Sequence, residues 1–348
     1  NSSFDSGISL VWGAEYYTDA VDSHRYRQAE ESDDRNEVRS RFPDNSSMDS
    51  AAVYFSGEWI NTDKFNLNAG LRYNWFDIRL PANDNYDNVK LTPSHLTGDI
   101  HAVYELNPGL KLVGNLGHGF RPPNIFDLAA LGPRSGNRFN IANTDLGPET
   151  VWSYDLGIKA ESDSLEFEIF AFYLDYSDKI TSVFTGNTTD DGRFVVRSEN
   201  RNSVEIYGLE TGLNWAAKDD LRLFAVINYT HGKDQDDSDL SFPADRIPPF
   251  NAQVGMEYYF NDDWRIEPYL IFAARQDRLS PRDVGDPRIN PLGTESWATL
   301  NLLLDWQATD ALQLGLRLEN LADRAYREHG SGIDAAGRNI GLWMNFKF

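Results

Sequence analysis

Five residues in one stretch carry the strongest binding chemistry of the sequence: Arg121, Arg134, Asn137, Arg138 and Phe139. Three guanidiniums, each a rigid fork of donors, suit a carboxylate- or phosphate-bearing ligand, and the neighbouring aromatic ring adds a face for it to rest on. The opposing reading is that Arg121 and Arg138 pair with carboxylates of an acidic chain. Both readings stand at this level. A second candidate is the run Asp234, Asp236, Asp237 and Asp239, whose carboxylates could hold a hard cation. It lacks the glycine and closing glutamate of an EF-hand loop, so a solvated acidic loop is expected. The histidines (His24, His95, His101, His118, His231 and His329) are dispersed, and none pairs with another at metal-ligand spacing. There is no G-x-S-x-G and no phosphate-cradling glycine loop. Absence of cysteine removes disulfides, thiolate zinc sites and cysteine nucleophiles. No catalytic constellation and no cofactor site is expected.

Composition narrows the setting. The chain has 54 acidic against 32 basic residues and a net charge of −22, which excludes an electrostatic nucleic-acid binder. Mean hydropathy is −0.52 and no long apolar run exists, which excludes membrane helices. A membrane barrel is not excluded, because lipid-facing and lumen-facing residues alternate and cancel in any window. Aromatic residues make up 13% of the chain, a load that fits girdles at two membrane interfaces. The opening Asn1-Ser2-Ser3-Phe4 has neither the basic region nor the apolar core of a secretion signal.

Period two dominates the elements that must position these residues. Ile8, Leu10, Trp12, Ala14 and Tyr16 alternate with small or polar residues, as do Phe65, Leu67, Ala69, Leu71, Tyr73 and Trp75. A helix would scatter these apolar positions, whereas a strand puts them on one face. The same beat recurs through Trp152–Ala160, Leu209–Trp215, Val254–Phe260 and Leu312–Leu318, and closes with Ile340, Leu342, Met344, Phe346 and Phe348. About fourteen strands are expected. Tight turns such as Asn107-Pro108-Gly109 and Asn261-Asp262-Asp263 alternate with long polar loops, including 18–47, 230–249 and 275–294, so every long loop falls on one rim. Ten or so tilted residues cross an apolar band of about 25 Å. The expected fold is all-β, a transmembrane antiparallel barrel whose long loops are extracellular and whose chain ends are both periplasmic.

The arginine-rich stretch is the central long connection. Phe120-Arg121-Pro122-Pro123 stops one strand, since proline lacks the amide a ladder needs. Asn143-Thr144-Asp145-Leu146-Gly147-Pro148-Glu149 delivers the chain into the next. This pairing resembles the TonB-dependent receptors of Gram-negative outer membranes, whose barrels carry F-R-x-P, a loop, and N-P-x-L-x-P-E before a strand. Threonine stands here where the family has its first proline. The segment Asn320 to Tyr326, with Gly337-Arg338 and the last strand, also resembles the family's ending.

The resemblance implies a twenty-two-stranded barrel around a plug domain. Residues 1–348 would then be the last fourteen strands, with no plug among them. It implies capture of a small ligand by the long loops, a ferric siderophore first of all, and import energised by the TonB complex acting through a plug. Phe346 and Phe348 would form the signal read by the barrel-assembly machinery, and outer-membrane lipid and lipopolysaccharide would surround the wall. Haem receptors of the family often carry a histidine between the two motifs, and none lies between Phe120 and Glu149. The alternative is a stand-alone fourteen-stranded diffusion or fatty-acid-type channel, an even strand number that a single-chain barrel allows.

Overall fold

Alternating apolar and polar residues become strands because successive side chains point to opposite faces of a pleated sheet. In the computed structural model, which describes residues 2–3, 9–28, 34–38, 40–83, 86–134, 137–201, 203–235 and 240–347, the pattern yields fourteen wall strands. They are β1 (Ser9–Val21), β2 (Ser46–Asn61), β3 (Phe65–Leu80), β4 (Ser94–Asn107), β5 (Leu110–Arg121), β6 (Glu149–Ser162) and β7 (Leu165–Ser177). Then come β8 (Val204–Lys218), β9 (Leu221–Gln235), β10 (Asn251–Asn261), β11 (Trp264–Ala273), β12 (Trp297–Thr309), β13 (Leu312–Glu319) and β14 (Asn339–Phe346). Each pairs antiparallel with its sequence neighbour, so the sheet is a plain meander.

One face of this sheet is apolar and open. Leu156 is 60% exposed, and Trp152, Tyr154 and Ile158 project beside it. So large an exposed apolar surface is what a lipid-facing wall presents, and a water-soluble protein would bury it. Aromatic pairs collect at both ends of the strands. Tyr73–Trp75 (4.4 Å) and Trp152–Tyr154 stand towards the long loops, and Trp264–Trp306 (5.1 Å) and Tyr258–Phe260 towards the short turns. These are two interface belts. The other face is polar and crosslinked: Arg72 pairs with Glu15 at 2.8 Å, and Arg265 with Glu257 at 3.0 Å and with Asp305.

All long connections leave the sheet at one rim and all short turns at the other, as the alternation predicts. The loops are more structured than their composition suggests. The polar stretch 18–47 holds the end of β1, a hairpin of Arg25–Gln28 with Arg35–Val38, and the start of β2. β9 runs on to Gln235, beyond the Thr230 expected to open the acidic loop. Polar sequence at a strand end signals emergence from the apolar band, and the hydrogen-bonded ladder continues past it.

Among the described residues the sheet does not close on itself. β14 pairs with β13, from Leu312–Phe346 to Glu319–Asn339, while β1 pairs with β2 and with Ser2–Ser3. Among the described residues β1 and β14 do not pair with each other. A stand-alone fourteen-stranded channel requires that pairing, so the structure does not support this alternative. Leu342 on the edge strand is 81% exposed, an edge of the kind that must be covered to stay soluble or stable.

Candidate functional site in the outer loops

The connection after β5 is rigid because its residues satisfy one another. Pro122 and Pro123 are buried, and helix α1 (Ile125–Ala129) begins at once. Its N-cap is a reciprocal box: the Asp127 amide donates to Asn124 Oδ1 at 2.9 Å, and the Asn124 amide donates to Asp127 Oδ2 at 3.2 Å. Ile125, Leu128 and Ala129 pack with Ile78, Leu80 and Leu146 in a small core above the wall. Leu146 is the leucine of the second motif, so the two motifs meet through this core.

Arg121 joins them a second time. Its Nε donates to Glu149 Oε1 at 2.6 Å and its Nη1 to Asp127 Oδ2 at 2.7 Å, and Glu149 Oε2 accepts the Ile180 amide at 2.7 Å. One guanidinium thus ties the end of β5, helix α1, the start of β6 and the loop after β7. Asn143 and Asn200 complete the knot. Asn143 Nδ2 donates to the Ser198 carbonyl at 2.7 Å, and Asn200 Nδ2 to the Gly147 carbonyl at 2.9 Å.

Two loops then build one sheet. Gly132–Arg134 pairs antiparallel with Arg138–Asn140, which pairs in parallel with Phe194–Arg201, itself antiparallel to Lys179–Thr188. Asn137 is structural in this arrangement: it sits at φ +55°, where asparagine is tolerated, and its Nδ2 donates to the Gly192 carbonyl at 3.0 Å. Phe139 lies between Pro133 and Val195 in the ladder.

Arg134 and Arg138 are the candidates this sheet presents. The Arg134 guanidinium lies 4.7 Å from the Phe126 ring centre, with Arg41 at 5.9 Å from the same ring. Burial pushes Arg134 below its ordinary value, and the charges of Arg41, Arg138 and Arg282 push the same way. Burial and then Arg282 lower Arg138, with Asp286 and Asp245 opposing. Neither has a carboxylate at ion-pairing distance among the described residues. Arg138 and Arg282 line a cavity of about 340 Å³ together with Thr181, Ser182, Phe184 and Phe194, the last two edge-to-face at 5.4 Å. The cavity thus sets two guanidiniums beside hydroxyls and ring faces, with the carboxylates of Asp234 and Asp245 also on its lining.

The rim opposite is held by helix α2 (Pro281–Val284), capped by Ser280 Oγ accepting from the Asp283 amide at 3.0 Å. Arg246 pairs with Asp283 at 3.2 Å and with Asp286, and Arg282 with Asp245 at 3.0 Å. Hydrogen bonds from Arg288, and from Arg246 after them, hold the Asp286 carboxyl far below the usual range against a smaller upward push from burial. A depressed folded-state value means this stabilisation is complete above the unfolded value, about pH 4, and is lost as pH falls through the folded one. Pepsin should therefore spare the 274–296 loop at pH 4 and cut it progressively below about pH 3. In Asp286→Asn the loop should be cut at pH 4 as readily as at lower pH; equal protection of both proteins at pH 4 would refute the linkage.

The remaining sequence candidates fall elsewhere. Asp234 is the penultimate residue of β9 and borders the same cavity, while Asp236, Asp237 and Asp239 lie outside the described residues. No group of three or more metal-ligating side chains gathers among the described residues. Phe346 closes β14 opposite Leu312, and Phe348 lies outside the described residues. Sequence reading missed Arg41, Phe126 and Arg282. The Asn124-x-x-Asp127 spacing could have exposed α1 and so Phe126, but Arg41 and Arg282 arrive from distant loops with no local signal.

The TonB dependent receptor-like, beta-barrel family matches residues 1–321. The chain belongs to it. The iron-regulated outer membrane virulence protein of Vibrio cholerae is 24% identical over 307 residues, 85% of this chain and 44% of that protein. The heme/hemopexin utilization protein C of Haemophilus influenzae is 25% identical across 100% of this chain and 49% of its own length. This TonB-dependent receptor barrel thus spans about half the length of the curated relatives it matches. Among solved structures, the copper transporter OprC superimposes with a TM-score of 0.82 at 19% identity, covering 99% of this chain and 55% of that one, which shows the shared fold. The family is one of outer-membrane receptors and transporters of Gram-negative bacteria rather than of enzymes.

Proposed function

We propose that this barrel chain serves energised uptake of an anionic ferric chelate of the siderophore class, captured by Arg134, Arg138, Arg41 and Arg282. The observation that carries the reading is that Arg134 and Arg138 have no carboxylate at ion-pairing distance among the described residues, in a chain with an excess of acidic residues. In such a chain an arginine without a carboxylate is a place kept for another anion. The iron-regulated relative supports iron as the cargo metal. Arg121 and Asn137 position the site, and Phe139 stiffens the sheet beneath it. Residues 1–348 act as wall and loops throughout. A plug domain, through which the TonB complex pulls, and further strands that close β1 to β14 complete the importer. The barrel-assembly machinery reads the closing strand with Phe346 and Phe348, and outer-membrane lipid and lipopolysaccharide pack on the aromatic belts.

Whole cells given radio-iron as a ferric catecholate, a ferric hydroxamate or haem test this. Uptake of an anionic ferric chelate should disappear when the gene for this chain is deleted and when TonB is removed. Uptake of all three that is indifferent to the deletion would overturn the proposal. Steady conductance of the native receptor in planar bilayers would instead favour an open channel.

A further inference from the structure

At the loop rim the wall opens between two strands. β3 and β4 stay paired as far as Trp75–Ser94, and β5 and β6 as far as Arg121–Glu149, but β4 and β5 pair only up to Gly98–His118. Residues 94–97 of β4 thus have no register partner on β5, and rings fill the notch. His95 lies flat on Phe120 (4.8 Å, 4° between planes) and His118 on Trp152 (4.5 Å, 28°). The two imidazoles face each other across the notch with ring centres 5.0 Å apart and planes inclined at 50°. Each ring has one face against an aromatic neighbour, which restricts its plane. No side-chain hydrogen bond reaches either imidazole among the described residues, although His101 nearby bonds Asn115.

We propose that His95 and His118 form a two-histidine site for a divalent transition ion, Cu2+, Ni2+ or Zn2+. A metal–nitrogen bond of about 2.0–2.1 Å puts an imidazole centre roughly 3.2 Å from the ion. Two such rings at angles between square-planar and tetrahedral geometry then stand about 4.5–5.2 Å apart, and 5.0 Å is observed. Two neutral imidazoles suit these ions and leave coordination positions open for water. A purely structural wedge in the notch would need only ring faces and would leave four ring nitrogens without purpose. The site is distinct from the arginine cluster and does not depend on the chelate reading.

The test uses the native receptor, solubilised without a histidine tag. Cu2+, the strongest binder of the series, is titrated as its simple salt while tryptophan emission is followed, because Trp152 stacks on one ligand. One Cu2+ should bind with an electron paramagnetic resonance spectrum showing two equivalent nitrogens. His95→Phe and His118→Phe keep the stacking and the fold, and each should weaken binding at least tenfold and remove the two-nitrogen pattern. His101→Phe should change neither. Unchanged affinity in His95→Phe or His118→Phe, or a wild-type spectrum without two nitrogens, would overturn the site.

Discussion

Arg138→Ala should raise the chelate concentration for half-maximal uptake by roughly 10- to 100-fold. A charge-assisted hydrogen bond to a carboxylate or phenolate oxygen is worth about 1.5–3 kcal/mol, and each 1.4 kcal/mol is a factor of ten. Arg138 borders the loop cavity, half-buried and with no carboxylate at ion-pairing distance among the described residues, so little of that interaction is already used inside the protein. Arg138→Lys keeps the charge but loses the planar fork, and should fall between wild type and alanine. Arg134→Ala should add a comparable loss, less than additive because the two charges raise each other's cost. Uptake kinetics with the radio-iron chelate read all three. If Arg138→Ala and Arg134→Ala leave half-saturation within twofold of wild type, the cluster does not hold the cargo.

The second large effect is expected at Arg121, for a different reason. Arg121→Ala leaves Asp127 and Glu149, each about 14% exposed, without their shared cation. Breaking the partnership of a buried charge costs more than the pair contributes; Arg121 is 40% exposed, and with that screening a loss of about 2 kcal/mol is appropriate. The cost falls on the docking of the loop sheet. Hydrogen exchange should therefore quicken about thirtyfold in 124–148 and 179–201 and stay unchanged in β10–β13. Arg121→Lys should recover only part, since an ammonium cannot reach two carboxylates with a fixed fork. Uniform destabilisation across the wall, or none in the loops, would show that Arg121 does not tie them.

The wall was legible because period-two alternation is a local signal, dictated by one buried or lipid-facing side per strand. Trp152 to Ala160 needs no distant partner to be read as a strand. The loop sheet was not legible. Gly132–Arg134 and Arg138–Asn140 are too short and polar to carry a period, and their strand character comes from a parallel partner more than fifty residues away. For the same reason Arg121 read as a ligand candidate: its spacing shows a guanidinium after a strand, and only the fold shows Asp127 and Glu149 beside it. Nor could dispersion in sequence reveal that the fold brings His95 beside His118.

The parallel pairing of Arg138–Asn140 with Phe194–Arg201 also links the outer sheet to the wall beneath it. Parallel neighbours require a crossover, and here it is the whole of the β6–β7 hairpin, which traverses the apolar band and returns. In its native place the outer sheet therefore sits over a completed β6–β7 hairpin. Without that hairpin in place, the strand carrying Arg138 would be parted from Phe194–Arg201.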